Sequence, residues 1–175
     1  MTFYNDEKIT IRAMKDEDAQ SIYNTLLEQN WHPNIEVYKK YYKDQELKVK
    51  YVFVAEYEGN IAGYTTLLSK ATKGPFVQSE FPEIVDLCVF EKYQNKGIAN
   101  KILDIVENIA SDISNNVTLS VGLHSGYGAA QRIYVKRGYI PDGSGVWYND
   151  RQLEQYSEKC SNDDSLVLYF SKQLR

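Results

Sequence analysis

An apolar run, IVDLCVF (Ile84 to Phe90), stands just ahead of YQNKGIANKIL (Tyr93 to Leu103), and together they leave the chain few ways to fold. The run is short and rich in β-branched residues, so it reads as a buried strand. Beyond it Ile98, Ile102, Ile105 and Ile109 recur at helical spacing, and Leu103 and Val106 widen the stripe. That periodicity predicts an amphipathic helix. Gly97 sits between the two. Strand, polar turn, glycine, helix is the layout that aims backbone N–H groups at an anion. Taken alone, Gly97 fits an ordinary turn equally well.

The flanking sequence supplies the rest of the elements. Lys8 to Ala13 alternates as a first strand, and Asp16 is placed to cap a helix carrying Ala19, Ile22, Leu26 and Leu27. A Tyr-rich amphipathic segment opened by Pro33 predicts a second helix. Tyr51 to Tyr57 and Ile61 to Leu68 read as strands joined at Glu58-Gly59-Asn60, and Ser69 to Pro82 reads as a loop. After the Gly97 helix, Asn115-Asn116 breaks the chain and VTLSVGL is a strand. Ala129 to Arg137 is helical and stops at Gly138; Tyr139 to Pro141 starts a strand, PDGSG is a turn, and Leu166 to Phe170 is the last strand. Without repeat or linker, residues 1–175 are expected to form one domain, an α/β (α+β) fold around a mixed sheet.

Charge and cysteine usage remove several function classes. Lys plus Arg is 20 against 24 for Asp plus Glu, a formal charge of −4, and no basic stripe suits a nucleic acid. Cys88 and Cys160 are far apart and form neither a disulfide framework nor a zinc-ligand spacing, and His32 and His124 are the only histidines. No metal is expected. The opening MTFYNDEKIT is too polar for a signal peptide and no apolar run would span a membrane, so a cytoplasmic location is expected.

Which anion the turn serves depends on the motif. Gly-x-Gly-x-x-Gly and Gly-x-x-x-x-Gly-Lys-Ser/Thr are both absent. What stands there is Gln94-Asn95-Lys96-Gly97-Ile98-Ala99, and downstream Ala130-Gln131-Arg132-Ile133-Tyr134-Val135-Lys136-Arg137-Gly138-Tyr139. The first resembles the Gln/Arg-x-x-Gly-x-Gly/Ala signature of the GNAT superfamily of N-acetyltransferases, the second that family's Ala-x-x-x-Tyr-x-Lys-x-Gly-Phe/Tyr. The order of elements is similar over nearly the whole chain. The resemblance implies a central, mostly antiparallel, splayed sheet flanked by helices, and makes the anion the pyrophosphate of acetyl-coenzyme A.

On that resemblance, backbone N–H groups from Asn95 to Ala99, Ile98 included, cradle the pyrophosphate, with Gln94 capping the loop and Lys96 adding charge. The pantetheine arm pairs with main chain at Leu87, Cys88 and Val89, and Ala130 lies in the motif that closes the site. Tyr127 occupies a position where many members carry a cofactor-contacting Asn, so its hydroxyl either takes over that contact or leaves the arm seated differently. Tyr134 matches the family's general acid, a phenol whose ordinary pKa near 10 suits protonation of a departing thiolate.

Two carboxylates compete for the base, Glu83 and Asp86. Glu83 stands fourteen residues before Gly97, where the resemblance implies the catalytic glutamate of the histone-acetylating branch, and it fits a strand-end charge in solvent as well; burying an unpaired Asp86 in mid-strand would be costly, which ranks Asp86 first. His124 is a third candidate. Cys88 reads as a small buried hydrophobe, because direct transfer to an amine needs no acyl-enzyme. The acceptor is an amine, a small molecule ahead of a protein, expected near Trp31, Tyr38, Tyr41, Tyr42, Trp147 and Tyr148. These aromatics suit a small cation, a protein N-terminus or a homodimer interface equally. The rival class is a non-catalytic domain that binds acetyl-coenzyme A and regulates.

Overall fold

The structure, a computed structural model, describes residues 1–156 and 159–174. They fall into two compact units, each made of two stretches of chain: Met1–Leu68 with Val85–Asn108, and Ser69–Ile84 with Ile109–Arg175.

The first unit opens with β1 (Thr2–Asn5) and β2 (Ile9–Ala13), turned by Asp6, whose Oδ1 accepts from the N–H groups of Lys8 (2.8 Å) and Ile9 (2.6 Å). Two helices follow, α1 (Asp18–Glu28) and α2 (Ile35–Glu46), then β3 (Lys50–Tyr57) and β4 (Asn60–Leu68). Neighbouring strands from β1 to β4 are antiparallel, and β5 (Glu83–Val89) is next to β4. The β3–β4 turn has Glu58 and Gly59 at positive φ, 49° and 80°, which matches the twist of a two-residue hairpin. Helix α3 (Ile98–Ile113) starts in this unit and buries Ile98, Ile102, Leu103 and Val106, while Ile105 and Ile109 are only half-buried. Met14, Ile22 and Leu26 pack with Tyr38, Tyr41, Val54, Tyr64 and Phe90, so α1 and α2 share one apolar core with β3 and β4.

Two capping expectations are corrected. Asp16 does not cap α1 with its side chain: the cap position is Glu17, with no side-chain bond. The carboxylate that works at this end is Asp18, which accepts from the Lys15 N–H (2.7 Å) and from both guanidinium nitrogens of Arg12 (2.6 and 2.9 Å). Arg12 also reaches Glu56 (2.7 Å), so a buried cation is shared by two carboxylates and held protonated, chiefly by Asp18. At α2 the cap is Asn34, accepting from the Glu36 N–H at 3.0 Å, one residue after Pro33.

The second unit contains the start of β5 and β6 (Asn116–Gly122), α4 (Gly128–Lys136), β7 (Ile140–Tyr148), β8 (Arg151–Gln152) and β9 (Leu166–Gln173). Strand order is β5-β6-β9-β7-β8, antiparallel throughout except for β5 with β6. That parallel pairing is confined to Glu83 with Thr118 and Ile84 with Leu119. PDGSG is not a turn between strands: it bulges out of β7 between Pro141 and Val146, with Gly143 and Gly145 at positive φ, while both flanks stay paired to β9. The expected loop of Ser69 to Pro82 holds only a single 3-10 turn, Gly74–Phe76. No helix among the described residues is long and apolar enough to cross a membrane.

Candidate active site

In the first unit β5 is interrupted by its own backbone. Asp86, in the strand interior, has φ +57° and is exposed. A left-handed residue breaks the two-residue alternation of a strand, and a non-glycine pays about 1–2 kcal/mol for it. The carbonyl just before it, Val85 O, accepts from the hydroxyls of Thr65 (3.0 Å) and Thr66 (3.4 Å), two fully buried side chains of β4. The Asp86 carboxylate is held as well: the Tyr41 hydroxyl, from α2, donates to its Oδ2. Burial and the adjacent Asp86 charge push the Tyr41 phenol far up, so it stays a neutral donor.

The environments expected of the two carboxylates are exchanged. A strand-end charge in solvent is excluded for Glu83, which is buried, 6% exposed, in the short parallel pairing with β6. Asp86 was expected to be buried in mid-strand, and the kink turns it outward.

Leu87, Cys88 and Val89 are half-buried, and β4 approaches them closely: a Cβ on Gly63 would stand 2.4 Å from the Cys88 carbonyl oxygen. The Cys88 thiol is pushed up to about 12 by burial, so it holds almost no thiolate near neutral pH. The chain then leaves the strand with the Gln94 Nε2 donating to Val89 O at 3.2 Å. Asn95 and Gly97 both adopt left-handed backbone, φ +60° and +81°, with Lys96 between them. This alternation turns successive N–H groups to one side, as in an anion nest. The Lys101 N–H donates to the Gly97 carbonyl at 3.1 Å, which closes the first turn of α3 directly behind this loop. A Cβ on Gly97 would meet nothing within 4 Å, which leaves space where an anion would lie. Ile98 is buried and Ala99 half-buried; the Lys96 ammonium lies over the Tyr57 ring at 5.0 Å.

In the second unit α4 carries the other motif. Its end is a left-handed stop: the Gly138 N–H donates to Val135 O and the Tyr139 N–H to Tyr134 O, both 3.0 Å, with Gly138 at φ +86°. The Tyr134 and Tyr139 rings meet edge to face at 5.6 Å, closing the apolar contact that accompanies this stop. Tyr134 is 5% exposed and Ala130 half-buried. Tyr127 donates to Asp164 Oδ1 (3.0 Å), and the same oxygen contacts His124 Nε2 (2.9 Å). Because the Gly126 N–H donates to His124 Nδ1 (3.1 Å), the ring proton lies on Nε2, toward the carboxylate. His124 and Tyr127 together hold Asp164 below its ordinary range. The Tyr127 hydroxyl is thus engaged within its own unit. An open groove of about 1020 Å³ in this unit is lined by Leu123, Ser144, Val146, Gln152, Glu154 and Leu166.

Tyr38 and Tyr41 are buried, Trp31 is exposed, and Tyr42, Trp147 and Tyr148 are half-buried. The sequence reading missed Thr65, Thr66, Gly63, Tyr64 and Asp164. Gly63 in a strand interior was a readable sign of close backbone approach. Among the described residues no group of three or more His, Cys, Asp or Glu could hold a metal ion.

A kinked strand followed by a nest at a helix start suits a protein that holds a phosphate-bearing ligand at that turn. The chain belongs to the GNAT acetyltransferase family, whose domain model, "Acetyltransferase (GNAT) domain", matches residues 4–165. Solved structures share the fold. The acetyltransferase from Salmonella typhimurium that modifies the N-terminal serine of 50S ribosomal subunit protein L7/L12 is 10% identical, with a TM-score of 0.72 over 99% of both chains. The yncA protein of Salmonella typhimurium, solved with its cofactor acetyl-CoA, is 18% identical, with a TM-score of 0.67 over 97% of this chain and 95% of that one. A spermidine N-acetyltransferase chimera from Vibrio cholerae SpeG and hSSAT is 15% identical, with a TM-score of 0.68 over 96% of this chain and 96% of that one. No curated protein matches the chain in sequence.

Proposed function

We propose that this chain moves an acetyl group from acetyl-coenzyme A to a small primary amine, by direct transfer within a ternary complex. The observation that carries the reading is the turn before α3. Left-handed Asn95 and Gly97, on either side of Lys96, turn the loop's N–H groups to one side at the start of α3, beside open space at Gly97. Those groups, from Asn95 to Ala99, would hold the pyrophosphate, aided by the helix dipole. Leu87, Cys88 and Val89 would offer main chain to the pantetheine arm. Acetyl-coenzyme A, once bound, supplies the activated thioester.

The rest is proton traffic. The acceptor must lose an ammonium proton before its lone pair attacks, and Asp86, exposed and fixed, is the carboxylate to hold that ammonium and accept the proton, directly or through water. Glu83, buried, is the second carboxylate for the role. A C–N bond forms, the C–S bond breaks, the departing thiolate takes the phenolic proton of Tyr134, and the proton shed by the new amide nitrogen passes through water to restore that phenol. The Cys88 thiol is no nucleophile in this scheme, since burial pushes it up and keeps it protonated.

A thiol-release assay tests the reading, with acetyl-coenzyme A and two acceptors, spermidine and a peptide with an N-terminal serine. Turnover of spermidine is expected. Turnover of the peptide alone would move the acceptor class to protein N-termini. Binding with no transfer to either would make the chain a regulatory acetyl-coenzyme A-binding domain, and no binding at all would overturn the reading.

A further inference from the structure

Asp86 has no packing reason to be where it is. It is exposed, it stands in a strand, and its backbone is left-handed, a conformation asparagine or glycine would adopt more readily. Such outliers persist when the surroundings hold them in place, and they cluster where geometry matters to function. Here the surroundings are specific. Thr65 and Thr66 pin the carbonyl that precedes Asp86, and Tyr41 grips one oxygen of its carboxylate. Tyr41 itself is set by packing: it is buried, with Tyr38 edge-on at 5.9 Å and Tyr64 at 6.4 Å. A neutral donor set by packing therefore meets one oxygen of a carboxylate that is otherwise exposed.

We propose that Tyr41 is a positioning residue for acetyl transfer: by holding Oδ2 of Asp86 it presents Oδ1 to the acceptor's ammonium in one orientation. This rests on the reading of Asp86 given above. A phenol suits the task because it satisfies one oxygen without adding a positive charge. The carboxylate keeps its full attraction for an ammonium, where a lysine or arginine partner would neutralise it. The class of acceptor follows: an amine that arrives as a cation and is recognised by charge and direction.

Tyr41→Phe, Asp86→Asn and the double variant test this by steady-state kinetics with spermidine, or with the serine-led peptide if that is the acceptor the wild type uses. Tyr41→Phe should lower kcat/KM for the acceptor about tenfold, mostly through KM, with the KM for acetyl-coenzyme A unchanged. Asp86→Asn should lower it further, and the double variant should be no worse than Asp86→Asn, since Tyr41 acts only through that carboxylate. Additive losses, or an unimpaired Tyr41→Phe beside an impaired Asp86→Asn, would overturn the positioning role while leaving the acetyltransferase reading intact. An unimpaired Asp86→Asn would remove the carboxylate from the reaction and this role with it. A crystal structure of Tyr41→Phe provides a readout that needs no acceptor. The Asp86 carboxylate should spread over several orientations, and one unchanged orientation would count against the proposal.

Discussion

A side chain at Gly97 would meet no protein atom within 4 Å, and the same holds at Gly138. Both have left-handed backbone, φ +81° and +86°. Gly97→Ala and Gly138→Ala should therefore lose similar stability, about 1 kcal/mol each by chemical denaturation. Their ligand behaviour should differ: by titration calorimetry only Gly97→Ala should bind acetyl-coenzyme A more weakly, because only its methyl group intrudes on the nest. Equal affinities would return Gly97 to a turn residue. The two cysteines form another natural pair. Cys160 is exposed, whereas the Cys88 thiol is pushed up to about 12 by burial. Iodoacetamide at pH 7.5 should label Cys160 and leave Cys88 intact in the folded protein, as peptide mass mapping would show.

At the scale of elements, β4 and α4 each do two jobs. In β4, Thr65 is fully buried and its hydroxyl bonds the Val85 carbonyl at 3.0 Å, whereas the Thr66 bond is longer at 3.4 Å. Thr65→Val should cost about 1–2 kcal/mol, and Thr66→Val less, by urea unfolding. In α4, Tyr134 supplies the ring that Tyr139 packs on at the helix stop. Tyr134→Phe keeps that ring, so it should lose less stability than Tyr134→Ala by thermal unfolding while turnover falls about 10²-fold, toward the low end for acid–base catalysis. Tyr134→Ala should lose both. What was legible at this scale follows from periodicity. The stripe from Ile98, the hairpin at Glu58-Gly59 and the stop at Gly138 all carry their own local signals. The Asp86 kink carried none, because its cause lies in α2 and β4, forty-five and about twenty positions away in the chain. Strand β1 was missed for a related reason: Thr2 to Asn5 is a four-residue edge, too short to show a period of its own, and its pairing is dictated by β2 and the Asp6 turn.

For the whole molecule, the two motifs and the element order sufficed to reach the family, since they report backbone that the fold requires. They did not reach the acceptor, whose recognition depends on side chains brought together from distant segments. A ligand that binds only the folded chain stabilises all of it. Acetyl-coenzyme A at 100 times its dissociation constant should add about 2.7 kcal/mol, and for a chain of this size raise the melting temperature by about 5–11 °C. ATP or NAD at the same excess should do much less; equal stabilisation by either would sink the pyrophosphate-nest assignment.

The helix stop at Gly138 bears on the history of such chains. Tyr134, Gly138 and Tyr139 terminate a helix whether or not any acetyl group is ever moved. Selection for folding alone would retain the glycine and the two rings, so a lineage that had abandoned catalysis would keep most of this motif. Asp86 has no such protection: its left-handed backbone is a standing cost of about 1–2 kcal/mol. In a lineage released from transfer chemistry, that position should be among the first to drift to glycine or asparagine. Among distant descendants, residue 86 would then separate working enzymes from retired ones better than the signature by which the family is recognised.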